Sequence, residues 1–284
     1  MITIDEPSAA ASGAAATARF RTDKSPFQAV RDSPKDRVSE LAREVLSAVH
    51  DTIRRHRVTY HEYNALKAWL IAVGADGEWP LFLDVWVEHA VEEVATDHRN
   101  GSKGTIEGPY YVPGSPECGA FATIPMRADE RGVPLRWAGR ITSVDGTPLQ
   151  GSIELWHADA DGRYSQFAPN LPEWNLRGTF TADPDGTFEI TTIRPAPYQI
   201  PTDGSCGRLI AAAGWHAWRP AHLHVKVSAA GHQQLTTQLY FPDDPHNDDD
   251  IASAVKPELL LEPRTQSDGS QRVVYDFVLD PEKY

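Results

Sequence analysis

Residues Arg219-Pro-Ala-His-Leu-His-Val-Lys-Val227 set His222 and His224 two positions apart at the head of an alternating, β-branched run. On a strand, side chains two residues apart leave the same face, so both imidazoles would point one way. Two nitrogen donors on one rigid element make half a metal site. Such a pair suits zinc, copper or iron, and the remaining ligands decide the chemistry. Trp215 and Trp218 flank the pair and supply bulky, partly apolar surroundings suited to a dry site.

The chain contains neither HExxH nor CxxC, and no cysteine stands near the pair, which removes the commonest zinc patterns. A facial triad for iron(II) needs one carboxylate. Asp243, Asp244 and Asp248–Asp250 offer several, but their proline- and asparagine-containing stretch reads as a solvated acidic loop. Tyr164 and Tyr198 are the other candidates, each beside glycine or proline at the end of a strand or the start of a loop. An ordinary phenol titrates near ~10, and a trivalent cation strongly favours its phenolate. Two phenolates with two imidazoles form a hard, anionic shell that would hold iron as iron(III).

Other residues of the same types read as structural. Tyr110 and Tyr111 are adjacent, so on a strand only one of them faces a common site. Asp159-Ala-Asp-Gly162 opens like a calcium loop, but Ala168 stands where a closing glutamate is required, so it is read as a hairpin turn. His157 is read as a hydrogen-bonded strand residue, and His56, His61, His89, His98 and His246 have no partner spacing.

The elements that must position these groups follow from periodicity. Residues 1–35 are rich in Ala, Ser and Thr and predict a mobile arm. Val38, Leu41, Val45, Leu46, Val49 and Ile53 recur at helical spacing, Thr59 and Glu62 form a capping box, and Pro80 marks the start of a third helix. The helical region runs over 36–104 and ends in the breaker cluster Asn100–Gly104. Beyond it, short runs at 135–144, 152–157, 178–182, 187–193, 222–227 and 236–240 read as strands, punctuated by Asp145-Gly146, Asp161-Gly162 and Asp185-Gly186. The predicted class is α+β, with an antiparallel β-sandwich over 105–284 behind an N-terminal helical region.

The 284 residues, 40% hydrophobic, are enough for one large domain or one with a smaller companion. A formal charge of -13 without any basic run argues against nucleic acid and anionic membranes as partners. No apolar stretch is long enough to span a bilayer and no secretory leader is apparent, so a cytoplasmic protein is expected. Two cysteines, Cys118 and Cys206, are too few for a disulfide framework and are read as free thiols.

Five separated motifs, Glu107-Gly-Pro-Tyr-Tyr111, Glu154-Leu-Trp-His-Ala158, Pro172-Glu-Trp-Asn-Leu-Arg-Gly178, Pro195-Ala-Pro-Tyr-Gln-Ile-Pro201 and Arg219-Pro-Ala-His-Leu-His224, together resemble the intradiol ring-cleavage dioxygenases. The likeness is strongest to the actinobacterial catechol 1,2-dioxygenases and runs from about Val38 to the C-terminus. It implies one non-haem iron(III) per subunit on Tyr164, Tyr198, His222 and His224, with Tyr198 the axial ligand that leaves the metal and takes up a substrate proton. Arg219 and Gln238 are implied to stabilise charge on the bound ring. Leu81, Asp84, Ile106, Gly108, Pro109, Tyr110, Ile200 and Pro201 are implied to wall the pocket.

The resemblance further implies catechol and dioxygen as substrates, cis,cis-muconate as product, and a homodimer formed through the N-terminal helices. The apolar stripes of those helices are compatible with a dimer and equally with burial inside one subunit. Segments 105–111 and 78–84 favour catechol, with hydroxyquinol or a substituted catechol as the alternative. A non-catalytic, prealbumin-like sandwich module would share the hairpin Asp145–Gly151 but would leave converging phenols and imidazoles without a purpose.

Overall fold

The computed structural model describes residues 34–282, so the arm expected over 1–35 lies almost wholly outside the described residues. Helices α1 (Lys35–His56), α2 (Tyr60–Ala75), α3 (Trp79–Trp86) and α4 (Glu88–Thr96) come first. The predicted capping box is present: the Thr59 side chain accepts from the Glu62 backbone N–H, and the Glu62 carboxylate accepts from the Thr59 N–H at 2.7 Å. Pro80 sits in the first turn of α3, where a missing N–H costs nothing. No helix among the described residues is long and apolar enough to cross a membrane.

Chain contacts divide the protein into two compact units. The first runs to Pro80 and takes in Asp203–Cys206; the second is Leu81–Thr202 with Gly207–Tyr284. Within the first, the apolar stripe of α1 is not buried: Val38, Leu41, Val45, Leu46, Val49 and Ile53 are all exposed. Asp76 accepts from the Ser205 N–H at 3.1 Å, and the buried Glu78 accepts from the Cys206 N–H at 2.8 Å. Two carboxylates thus cap the start of α5 (Ser205–Ala213), where unpaired N–H groups favour negative charge. Cys118 and Cys206 are free thiols.

The second unit holds two large sheets. One has the order β1 (Glu117–Cys118), β5 (Arg177–Thr181), β4 (Ser152–His157), β9 (His222–Ser228), β10 (Leu235–Tyr240). The other has the order β11 (Arg264–Thr265), β12 (Gln271–Val274), β3 (Pro134–Ser143), β6 (Thr187–Ile193), β2 (Phe121–Thr123), with β13 (Phe277–Leu279) also paired to β3. A two-stranded ribbon joins β7 (Tyr198–Gln199) to β8 (Trp218–Arg219).

The sheets are mixed, which corrects the antiparallel expectation. β1 runs parallel to β5, β2 to β6, and β12 and β13 both run parallel to β3. Each of these partners is reached by a long connection and not a hairpin, so nothing forces reversal. Alternation reveals which face a strand buries and says nothing about its direction. Turns form at Asp145-Gly146 and Asp185-Gly186. Asp161-Gly162 also makes a turn, within the long connection 158–176 that joins the antiparallel strands β4 and β5 in place of a tight hairpin loop.

One buried cluster draws Leu135, Trp137 and Ile141 from β3 and Ile190 from β6 together with Leu155 from β4 and Leu223, Val225 and Val227 from β9. Because Leu223, Val225 and Val227 face this core, His222 and His224 must face the other side of β9. Core packing therefore aims the two imidazoles.

Candidate metal centre

Strand register assembles the site. On β9, His224 lies opposite Trp156 of β4 on one side and Gln238 of β10 on the other, while His222 lies opposite Tyr240. Directly opposed residues share a face, so these side chains surround the imidazole pair. The Trp156 ring stacks on His224 with centroids 4.9 Å apart and planes 11° apart. In the small ribbon, Tyr198 lies opposite Arg219. Tyr164 enters from the connection 158–176, with its ring edge-on to Tyr198 at 5.3 Å.

The donors converge. His224 Nε2 lies 3.0 Å from His222 Nε2 and 3.0 Å from Tyr164 Oη. His222 Nδ1 donates to the Pro220 carbonyl at 2.6 Å, which leaves its Nε2 lone pair aimed inward. His224 Nδ1 is buried and has no hydrogen-bond partner. Burial, reinforced by the Arg219 charge, pulls His222 down to about 3, and burial with the His222 charge depresses His224 well below the usual imidazole range. Both are neutral bases. Burial also raises both phenols, Tyr164 well above the ordinary value with a further contribution from the Tyr198 charge.

These features fit a metal ion. Neighbouring ligands bound at ~2.1 Å and set near right angles lie ~3 Å apart, the spacing of His224 Nε2 from both His222 Nε2 and Tyr164 Oη. A cation offsets the cost of a buried phenolate and suits two imidazole nitrogens that face each other at 3.0 Å. Among the described residues no group of three or more His, Cys, Asp or Glu is placed for a metal, so tyrosine is needed to complete a ligand set here. Two tyrosines and two histidines are a hard, electron-rich set for which iron(III) is the natural choice.

The other candidate residues fall into two groups. Gly108 has φ 72°, and a Cβ there would lie 3.4 Å from His224 Cε1, so this backbone lies against the imidazole. Glu88 of α4 holds it by accepting from the N–H groups of Glu107 and Gly108 at 2.9 and 3.2 Å. Tyr110 stacks on Tyr164 at 4.4 Å, and the Ile106 carbonyl accepts from Gln238 Nε2 at 2.9 Å. Tyr110 and Tyr111 lie at a turn and not on the expected strand, and Tyr111 bonds Glu154 and packs on Trp156 instead. Ile200 and Pro201 follow the Tyr198 ribbon, and Pro109 is buried between Gly108 and Tyr110. Leu81 is buried and Asp84 half-buried on α3; the sequence resemblance alone ties them to the site.

His157 is on the core face of β4, with its ring bonded to the Ala158 carbonyl and the Thr192 hydroxyl at 2.7 Å each. The loop around Asp159 couples the two tyrosines. Asp159 Oδ1 accepts from the N–H groups of Asp161 and Arg163, and its carbonyl accepts from Ala196 at 3.2 Å. At Gly162, φ is 76° and a Cβ would meet the Tyr198 Cβ at 2.8 Å. On the ligand set that the sequence resemblance implies, Gly162→Ala is expected to displace Tyr198, lower kcat by ~10–100-fold and shift the visible absorption of the iron-loaded protein; steady-state kinetics and a spectrum check both.

A family model described as "Dioxygenase" matches residues 106–281, and one described as "Catechol dioxygenase N terminus" matches 35–103. The chain belongs to the intradiol ring-cleavage dioxygenases. It is 43% identical over 250 residues to a chlorocatechol 1,2-dioxygenase of Rhodococcus opacus, covering 86% of this chain and 97% of that protein. The crystal structure of a 3-chlorocatechol 1,2-dioxygenase from Rhodococcus opacus 1CP superposes with a TM-score of 0.84 at 43% identity, over 88% of this chain and 100% of that one. A catechol 1,2-dioxygenase of Acinetobacter baylyi is 36% identical over 238 residues, 80% of this chain and 76% of that protein. Family membership brings an iron-dependent reaction of dioxygen with a catecholic aromatic ring, in aromatic degradation.

Three residues beside the site of this dioxygenase escape sequence reasoning. Asp250, assigned above to a solvated loop, is buried and pairs with Arg219 at 3.0 Å. Tyr240 is fully buried, and its hydroxyl donates to Gln238 Oε1 at 2.6 Å. Asp244 is likewise mostly buried and accepts from the Ala221 N–H at 2.9 Å. The hydrophobic Ile251 and Ala252 directly after the acidic run were the available sign that the chain turns inward there.

Proposed function

We propose that Tyr164, Tyr198, His222 and His224 hold one non-haem iron(III) per chain and that the protein opens a chlorinated catechol between its two hydroxyl-bearing carbons, yielding the corresponding chloro-cis,cis-muconate. The convergence of His222 Nε2, His224 Nε2 and Tyr164 Oη within 3.0 Å steps carries the metal assignment. Greater identity to the chlorocatechol enzyme, 43%, than to the catechol enzyme, 36%, favours a substituted ring over catechol itself. When bound, iron(III) draws electron density from the ring so that dioxygen attacks the organic substrate directly.

The chain's own residues perform the rest. Tyr198, a phenolate only while it holds the metal, would accept a proton from one substrate hydroxyl, and burial favours the neutral phenol that results. Arg219, opposite Tyr198, and Gln238, opposite His224, are the donors placed beside the ligand set to stabilise negative charge growing on the ring. The Gln238 amide is oriented by three bonds: Oε1 accepts from Arg219 at 2.9 Å and from Tyr240, and Nε2 donates to Ile106. Ile106, Gly108 and Tyr110 keep water from the reacting face.

Comparison of kcat/KM for 3-chlorocatechol, 4-chlorocatechol, 4-methylcatechol, catechol and hydroxyquinol tests the substrate. A chlorocatechol is expected to lead catechol by ~10–100-fold, the scale on which small pocket differences act. Catechol in first place would reverse the choice of ring and leave the cleavage chemistry standing.

The architecture reads as a β-sandwich of two mixed sheets over 105–284, a reading supported by their common buried cluster, with 36–104 as helical linker. The exposed stripe Val38, Leu41, Val45, Leu46, Val49 and Ile53 supports a homodimer formed through the N-terminal helices. Sedimentation is expected to give twice the chain mass, and Leu41→Glu with Val45→Glu to give the monomer.

A further inference from the structure

Asp250 is held more tightly than a surface acid has reason to be. Its Oδ1 and Oδ2 accept from Arg219 Nε and NH2 at 3.0 Å each, a two-point grip on one edge of the guanidinium. The same oxygens accept from the backbone N–H groups of Ala252 and Ala254 at 3.2 Å each, so the loop fixes the carboxylate in turn. Both side chains are only 2% exposed. Burial works against each charge and the partner outweighs it, so both stay ionised.

A guanidinium has five N–H groups on a flexible stem and turns toward the nearest anion unless it is held. With its Nε edge occupied, Arg219 has NH2 on Gln238 Oε1 and NH1 directed to His222 Nε2 at 3.3 Å. The loop, Asp250, Arg219 and Gln238 thus form one relay of fixed donors that ends among the convergent ligands. Asp250 also balances the formal charge of Arg219, so the site receives oriented N–H groups without a net added cation.

We infer that Asp250 is a positioning residue for ring cleavage: it fixes the Arg219 guanidinium edge-on and cancels its charge, so that NH1 and NH2 are held in place beside His222 and Gln238 at the reacting centre. The inference rests on the role given to Arg219 in the proposed function. A carboxylate that merely fastened the loop would contribute the same with or without the guanidinium.

The test is a double-mutant cycle on iron-loaded, full-length protein: wild type, Arg219→Met, Asp250→Asn and the double variant, each scored for kcat, KM, iron content and visible spectrum. Asp250→Asn is expected to retain iron and near-native KM and to lose ~10–100-fold in kcat, the usual cost of removing an outer-sphere partner. The double variant is expected to be no slower than Arg219→Met. In Asp250→Asn the unbalanced guanidinium opposite Tyr198 should draw density from the phenolate oxygen and move the absorption band to shorter wavelength, and the double variant should lose that shift.

Additive losses in kcat, a wild-type rate in Asp250→Asn, or an unmoved band would each overturn the inference. Where a buried, unpaired arginine prevents Asp250→Asn from folding, Asp250→Glu decides: it keeps the charge and displaces the grip, so kcat should fall while the band stays in place. A wild-type rate in Asp250→Glu would overturn the positioning role. Wild-type protein that neither retains iron nor consumes oxygen with any catechol would bring down the functional reading, and this inference with it; failure of the cycle alone leaves that reading intact.

Discussion

His224→Ala is expected to give a folded protein that loses its iron and its colour. His224 Nε2 is the common neighbour of His222 Nε2 and Tyr164 Oη, so its removal breaks two of the close donor pairs at once. Loss even of a group outside the ligand set weakens metal sites by ~10–100-fold, and loss of a ligand should exceed that. The fold should survive, because Leu223 and Val225 on either side keep β9 in the core and the truncated side chain faces away from it. The measurements are iron per chain after desalting, absorbance in the visible, and far-ultraviolet circular dichroism. Iron retained at the wild-type ratio would remove His224 from the ligand set.

Tyr198→Phe is expected to keep the fold, alter the charge-transfer spectrum and lower kcat by ~10²–10⁴-fold, the range for loss of a positioned acid or base. The substitution removes one oxygen and preserves the ring contacts with Tyr110 at 5.9 Å and His222 at 5.6 Å. What disappears is the buried oxygen to which the proposed function assigns a substrate proton. Because Tyr164 and both histidines remain, iron should be held, though less tightly, and substrate should still bind in the absence of oxygen. Single-turnover kinetics separates the two steps: a loss confined to binding, with normal ring opening afterwards, would deny Tyr198 its role as proton acceptor.

The shared face of the two imidazoles is legible in the chain alone. Alternation in 222–227 placed both imidazoles on one face, because Leu223 and Val225 are the kind of side chain a core recruits. The capping box at Thr59 and Glu62 was equally legible, since capping is local chemistry written in four residues. Strand direction was not legible. The parallel partners β2, β12 and β13 are set by long connections, and the residue pattern is the same for either direction. Asp250 was hidden for a different reason: an aspartate run in a polar loop has the composition of a solvated surface, and only the third dimension reveals the guanidinium that calls one member inward. Tyr240 reads from sequence as one more aromatic at a strand end, and its hydroxyl gains meaning only beside Gln238.

The two histidines and the tyrosine expected to move are mounted on very different foundations. His222 and His224 belong to a strand held by neighbours on both edges, whereas Tyr198 belongs to a ribbon two residues long, outside both large sheets. Breaking the ribbon forfeits little cooperative structure, while dislodging β9 would require melting the centre of a sheet. On the proposed ligand set, the division would separate a permanent anchor from a hinged one, so that release of Tyr198 would be a local opening of the backbone that leaves the free energy of global folding untouched.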